Sequence, residues 1–299
     1  MKILKSGICL SLLATLSFFS CNKVDKYPSD ELSEYMNLQV GKFIRYKLDS
    51  MRFVFFGQKD TIVSYQAKDV VEAAITDNLG RPSWRIVRYL RDSASKSEAD
   101  WTPSMTYMIT PTREVVEVIE NNQRFQKLKL PITNGFSWKG NSHIDTYNDV
   151  DMRFLDGWDY TYEDVGGIFT DSGTTAIPNT ITVNQVDIEG NIGNPTAPII
   201  QKVFSQEVYA KNVGLVYKNL IKWEYQASFD TKRCYYVRCV SNKCDTIECD
   251  PFPNRCDSIS KINDSLPRNQ QWTQKCRDSI KTGFYYEGYG IKLKMIDHN

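Results

Sequence analysis

The chain has 299 residues, 37 Lys and Arg against 36 Asp and Glu, and a formal charge of +1. A balance this close to neutrality provides no basic field to hold nucleic acid. Seventeen Tyr, fourteen Phe and six Trp favour strands over helices, so the composition points to a mainly all-β protein.

Lys2 and Lys5 precede an apolar run from Ile8 to Phe19, then the small Ser20 and Cys21. The run is shorter than the roughly 20 residues a spanning helix needs. Its order is that of a bacterial lipoprotein signal, in which residues 1–20 are removed and a diacylglycerol is joined to the Cys21 sulfur. An ordinary cleaved secretory peptide is the rival, because Phe18 and Phe19 stand where Leu and small residues are usual; export follows under either. Acyl chains such as palmitate, each buried CH₂ contributing about 0.8 kcal/mol, would make the membrane a partner through Cys21 without a spanning helix. Asn22 after the cysteine resembles the outer-membrane class of such lipoproteins. With only Asp25 between Lys23 and Lys26, the periplasmic and surface faces of the envelope both stay open. Cleavage leaves 35 basic residues against 36 acidic ones and a formal charge of −1.

Residues 21–40 read as a lipidated tether and a short helix, with Ser29 capping Asp30 to Leu38 and Asp30, Glu31 and Glu34 suiting the helix N-terminus. From residue 41 the period becomes two. Ile44, Tyr46 and Leu48 alternate with Arg45 and Lys47, Trp84, Ile86 and Leu90 share one parity, and Gln126, Leu128 and Leu130 alternate with Lys127 and Lys129. Around Asn184 and Gln185 the parity slips, and a β-bulge there restores one face. Leu215, Tyr217, Ile221, Trp223 and Tyr225 form an apolar face opposed by Lys218, Lys222, Glu224 and Gln226, the one-sided pattern of antiparallel sheet. Turn residues place loops at 78–82, 131–140, 166–178 and 190–198. The β domain is thus expected over 41–233, followed by a cysteine-rich insert over 234–284 and a last strand of the same domain within 285–299, with Tyr289, Ile291, Leu293 and Met295 on one side.

Six of the eight cysteines lie in the insert: Cys234, Cys239, Cys244, Cys249, Cys256 and Cys276. Spacings of four residues suit zinc poorly, and an oxidising compartment makes disulfides the better reading. Of fifteen possible connectivities, a hairpin turning at Val240 to Lys243 sets Cys239 opposite Cys244 and Cys234 opposite Cys249, leaving Cys256 for Cys276. Asp followed by Ser or Thr and then Ala, Ile, Leu, Met, Val or Thr recurs at Ser50, Thr61, Ser93, Thr246, Ser258, Ser265 and Ser279, where composition predicts about one. The pattern resembles the O-glycosylation sequon of exported Bacteroidota proteins; capping and turn formation by Asp-Ser and Asp-Thr pairs is the other reading.

No residue pattern assigns catalysis, a metal or a cofactor. His143, in Ser142-His143-Ile144-Asp145, is the one plausible imidazole base, but triad members meet through the fold and not by adjacency. Asp149, Asp151, Asp156 and Asp159 around Gly157 miss the EF-hand template at Arg153 and Tyr160. Trp138, Trp158 and Trp223 are read as core before they are read as sugar platforms.

Leu130-Pro131 with Gly135 and Trp138, then Val208-Tyr209-Ala210-Lys211-Asn212-Val213-Gly214-Leu215-Val216-Tyr217, then Gly288-Tyr289-Gly290 together resemble a group of uncharacterised Bacteroidota envelope lipoproteins, distantly like the TapB-type periplasmic domains. Asn212 stands where that group usually has Gly, and the cysteine-rich insert is a departure. The resemblance covers residues 41–233 and 285–297. It implies a strongly curved antiparallel sheet or incomplete barrel and brings no assigned substrate. The expectation is a non-catalytic outer-membrane lipoprotein acting as a binding or envelope-structural module, for an apolar ligand if the sheet is concave; an envelope glycan hydrolase using two carboxylates is the alternative.

Overall fold

The computed structural model describes residues 30–171, 175–192, 199–229, 234–240, 243–248, 261–263, 265–276 and 281–299. Residues 1–20, Cys21, Cys249, Cys256, Ser258 and Ser279 lie outside them. The strands are β1 (Phe43–Val54), β2 (Lys59–Thr76), β3 (Pro82–Asp92), β4 (Thr102–Pro111), β5 (Val115–Glu120), β6 (Gln123–Lys129), β7 (Ser137–Trp138), β8 (Tyr160–Phe169), β9 (Ile177–Gly190), β10 (Ile199–Ala210), β11 (Gly214–Phe229), β12 (Cys234–Val240), β13 (Lys243–Glu248), β14 (Thr273–Cys276) and β15 (Lys281–His298).

Twelve strands form one antiparallel sheet in the order β6-β5-β4-β3-β2-β1-β15-β11-β10-β9-β8-β7, nearly closed into a barrel. Two meanders run outward from the central β1–β15 pair, and their far edges, β6 and β7, meet at a seam. There Gln126 N–H donates to Gly140 O at 2.8 Å and Trp138 Nε1 donates to Gln126 O at 2.8 Å. Tyr162 Oη both accepts from Lys129 N–H at 2.8 Å and donates to Lys129 O at 2.9 Å. Gly140 is required at this crossing, since a Cβ would lie 2.4 Å from the Tyr160 ring.

The bulge expected near Asn184 and Gln185 is present: Ser205 pairs with Val186 and Gln206 with Asn184, which leaves Gln185 as the extra residue. Further register shifts occur along the sheet, among them one at Lys127 on β6 and one on β11. Tyr209 pairs with Leu215 and Val208 with Tyr217, so the ladder skips Val216 and parity changes between Leu215 and Tyr217. The apolar set on β11 is therefore split. Leu215 stays inside, while Trp223 and Tyr225 pack on Tyr286 of β15, with Tyr286 stacked on Phe53 at 5.3 Å, on the other face of the sheet. The polar positions Lys218, Lys222, Glu224 and Gln226 turn inward instead.

The N-terminal helix is shorter than expected, a single 3-10 turn over Leu32–Tyr35. Asn37 at φ +39° ends it, and its burial of Leu32, Tyr35 and Met36 in the core fixes the turn by packing rather than by helix propensity. β12, β13 and β14 make a separate three-stranded sheet in the order β13-β12-β14. β15 starts at Lys281, paired with Phe229, four residues before the boundary read from the sequence.

Candidate functional site

The barrel interior is polar at its centre. Glu207 on β10 is 1% exposed and meets the Lys127 ammonium at 2.7 Å, the Lys218 ammonium at 3.4 Å and the Tyr209 hydroxyl at 2.7 Å. Lys218 also reaches Glu120 at 3.9 Å. Beside them the Arg88 guanidinium binds both oxygens of Asp69 at 2.6 Å, and Tyr107 Oη donates to Asp69 at 3.0 Å. Burial opposes charge on Glu207, but the ammonium groups of Lys127 and Lys218 and the hydrogen bonds from Lys127 and Tyr209 outweigh it and hold its pKa at about 2. Lys218 lowers the Glu120 pKa against the opposing effect of burial, with Lys127 and Arg88 adding to it. Buried charges persist only when paired and hydrogen-bonded in this way.

This charged girdle borders two cavities. The smaller, about 90 Å³, contains Asp69, Arg88 and Tyr107 in its wall and is covered by Met36 to Leu38. The larger, about 820 Å³, shares Glu120, Lys127 and Lys218 with the first. Its sheet wall carries Phe125, Gln185, Ser205, Leu220, Lys222, Glu224 and Ile291. Its other wall comes from the β7–β8 connection, where Asp149 caps a 3-10 turn over Val150–Leu155 by accepting from Asp151 N–H and presents Met152, Phe154 and Trp158. The Lys222 ammonium sits 4.2 Å from the Phe154 ring centre and, among the described residues, has no carboxylate within 4.0 Å. Gln185, placed inside by its bulge, accepts from Ser205 Oγ at 2.6 Å, and its buried Nε2 donor has no acceptor among the described residues. Glu224 and Glu287 face each other across the β11–β15 ladder and both line this cavity.

The lining is mixed rather than apolar, with aromatic and aliphatic groups beside amide, ammonium and carboxylate groups. Glu120, Asp151, Glu224 and Glu287 line the large cavity, and neither Glu120 with the neighbouring Glu207 nor Glu224 with Glu287 is arranged for two-carboxylate hydrolysis. Glu120 and Glu207 are both held ionised, whereas that mechanism needs one acid to carry a proton. Glu224 and Glu287 sit on one wall, whereas the scissile bond must lie between the two carboxyl groups.

Of the residues singled out in the sequence, Asp151 and Trp158 line the large cavity, and the others fall elsewhere. His143 is exposed, with Nε2 3.0 Å from Gln126 Nε2. The four aspartates disperse: Asp149 caps, Asp156 accepts from Thr146, and Asp159 pairs with Lys139 at 2.7 Å. Trp138 is buried core, Trp158 is buried with one side on the large cavity, and Trp223 is half-buried on the opposite face from the cavity. Lys127, taken from its alternation as solvent-facing, is 6% exposed. Cys239 and Cys244 form a disulfide at the β12–β13 hairpin. The backbone of Cys276 lies opposite Cys234 on the β12–β14 side, and the expected pairs Cys234–Cys249 and Cys256–Cys276 each include a cysteine outside the described residues. Of the sequon positions, Ser93, Thr246 and Ser265 are exposed, while Ser50 and Thr61 are half-buried in β1 and β2.

The girdle residues were missed. One signal for them existed: Val208, Tyr209 and Ala210 are apolar on both parities, the mark of a strand end buried on both faces, and a carboxylate entering such a run at Glu207 must bring partners. Comparisons with protein-family models, curated proteins and solved structures give no match. The likeness to the TapB-type domains rests on the residues quoted for it alone.

Proposed function

We propose that this chain is an outer-membrane lipoprotein whose barrel is a non-catalytic binding module for a small amphipathic ligand. The observation that carries the reading is the cavity of about 820 Å³, which falls in the size range of small-molecule sites, roughly 300–1,000 Å³. Phe154, Leu220 and Ile291 offer an apolar bed, and Lys222, Glu224 and Gln185 offer polar groups at its sides. An amphipathic ligand suits this wall better than a wholly apolar one, because a hydrocarbon would strand the ammonium and carboxylate groups without water. The lipid reading is supported by the order of Lys2, Lys5, the Ile8–Phe19 run and Cys21.

Two measurements test it. Labelled palmitate should enter the wild-type protein and not Cys21→Ser. Native mass spectrometry of protein extracted gently from its own envelope should show a bound small molecule. Recovery of the chain from the cytosol with its leader uncut would remove the first half, and repeated recovery of unliganded protein that also fails to take up amphiphilic dyes would remove the second.

A further inference from the structure

The hairpin joining β1 to β2 carries Phe55 and Phe56 at its tip, 69% and 97% exposed. Both occupy the left-handed region, at φ +53° and +56°, followed by Gly57 at +77°. That conformation is an outlier for a bulky side chain and costs free energy that no burial of these rings offsets. It is nevertheless enforced by the fold. Gly57 O accepts from Tyr286 N–H at 2.7 Å, and a Cβ at Gly57 would lie 2.4 Å from Tyr286 O, so the turn is clamped onto β15 and the two phenyl groups are driven outward. Leu79 and Ile168 are comparably exposed but stand singly, which is ordinary on a protein surface. Arg52 and Lys59, both exposed, flank the tip with positive charge.

We infer that this tip is a second membrane contact, inserting Phe55 and Phe56 into the bilayer surface while Arg52 and Lys59 meet acidic headgroups. The inference rests on the reading of Cys21 as a lipid anchor, and the tether supplies its reach. Eleven chain steps separate Cys21 from Leu32, which span at most about 40 Å. β1 runs 12 residues from Phe43, near the N-terminal turn, to Val54 beside the tip, about 36 Å along the strand, so a tether drawn out toward its limit reaches a bilayer on which the tip rests. Paired exposed aromatics next to cations satisfy the interface, where ring bodies enter the acyl boundary and charges stay at headgroup level.

The test uses the full chain carrying Cys21→Ser, exported and unlipidated, with vesicles of phosphatidylethanolamine and phosphatidylglycerol. Phe56→Trp should shift its emission to the blue on vesicles and be quenched by brominated acyl chains, relative to the same chain without the new indole. Phe55→Ser with Phe56→Ser should lower vesicle partitioning by about a hundredfold, roughly tenfold per ring, with an unchanged melting curve because neither ring is packed. Unshifted and unquenched emission, partitioning unaffected by the double substitution, or a concentration-dependent dimer that the double substitution abolishes without any vesicle binding would each overturn the inference. A chain that takes no palmitate yet binds vesicles through the tip upholds this contact and removes only the anchor at Cys21.

Discussion

The two cavities inside the barrel share Glu120, Lys127 and Lys218, yet one encloses about 90 Å³ and the other about 820 Å³. The difference lies in how completely their polar groups are matched. Around the small cavity Asp69 takes two bonds from Arg88 and one from Tyr107, and Glu207 is contacted by two ammonium groups and a hydroxyl. Around the large one, Gln185 keeps an idle donor and two glutamates oppose each other. A matched cluster closes on itself and serves the fold. An incompletely matched wall leaves room, and that room is where we place the ligand.

The largest expected effect comes from the shared girdle. Glu207→Leu leaves the buried Lys127 ammonium without its close partner and should destabilise the barrel by about 3–5 kcal/mol in denaturant unfolding. Adding Lys127→Met should recover much of that loss, because a buried pair replaced on both sides by apolar groups is often neutral. Acid should act on the same group. Because the folded pKa of Glu207 is about 2 against an ordinary 4.5, its contribution is fully present above pH 4.5 and is lost as pH falls toward 2. The unfolding free energy read from urea titrations should therefore hold steady above pH 5 and drop below it, by up to about 3 kcal/mol. A chain whose stability is flat from pH 5 to pH 2 would contradict the charged girdle.

The roomy side should respond differently. Leu220→Trp fills part of the large cavity and should cost less than about 1 kcal/mol, since space is available, while abolishing uptake of an amphiphilic dye. Equal loss of stability and uptake would show this region to be packed core. The smallest effect is expected at Glu287→Gln, which relieves like charges directly opposite in the ladder and should stabilise by a few tenths of a kcal/mol, read as a small rise in Tm.

Local features were legible in the sequence where period-two alternation and turn chemistry decide them. The bulge at Gln185 and the opposition of Cys239 and Cys244 about a short turn both follow from counting residues. What alternation does not reveal is which of two faces turns inward. Lys218, Lys222 and Glu224 look like solvent positions, and only the skipped residue Val216, hidden inside the continuous apolar run from Val213 to Tyr217, sends them into the barrel. The pairing within the girdle was illegible for a related reason, beyond the one signal at Glu207. Lys127 and Glu207 are 80 positions apart, and nothing local to either names the other. The N-terminal turn shows the same limit, since Ser29 and its acidic followers argued for a longer helix than packing of Leu32 and Tyr35 and the left-handed Asn37 permit.

The seam between β6 and β7 reaches beyond the single molecule. An open sheet of this length would present a bare ladder rung to every neighbouring copy, inviting strand exchange and fibre growth. Here the main chain of β6 is occupied at Gln126 by Gly140 and the Trp138 indole and at Lys129 by the Tyr162 phenol, so that rung is already taken before another strand arrives.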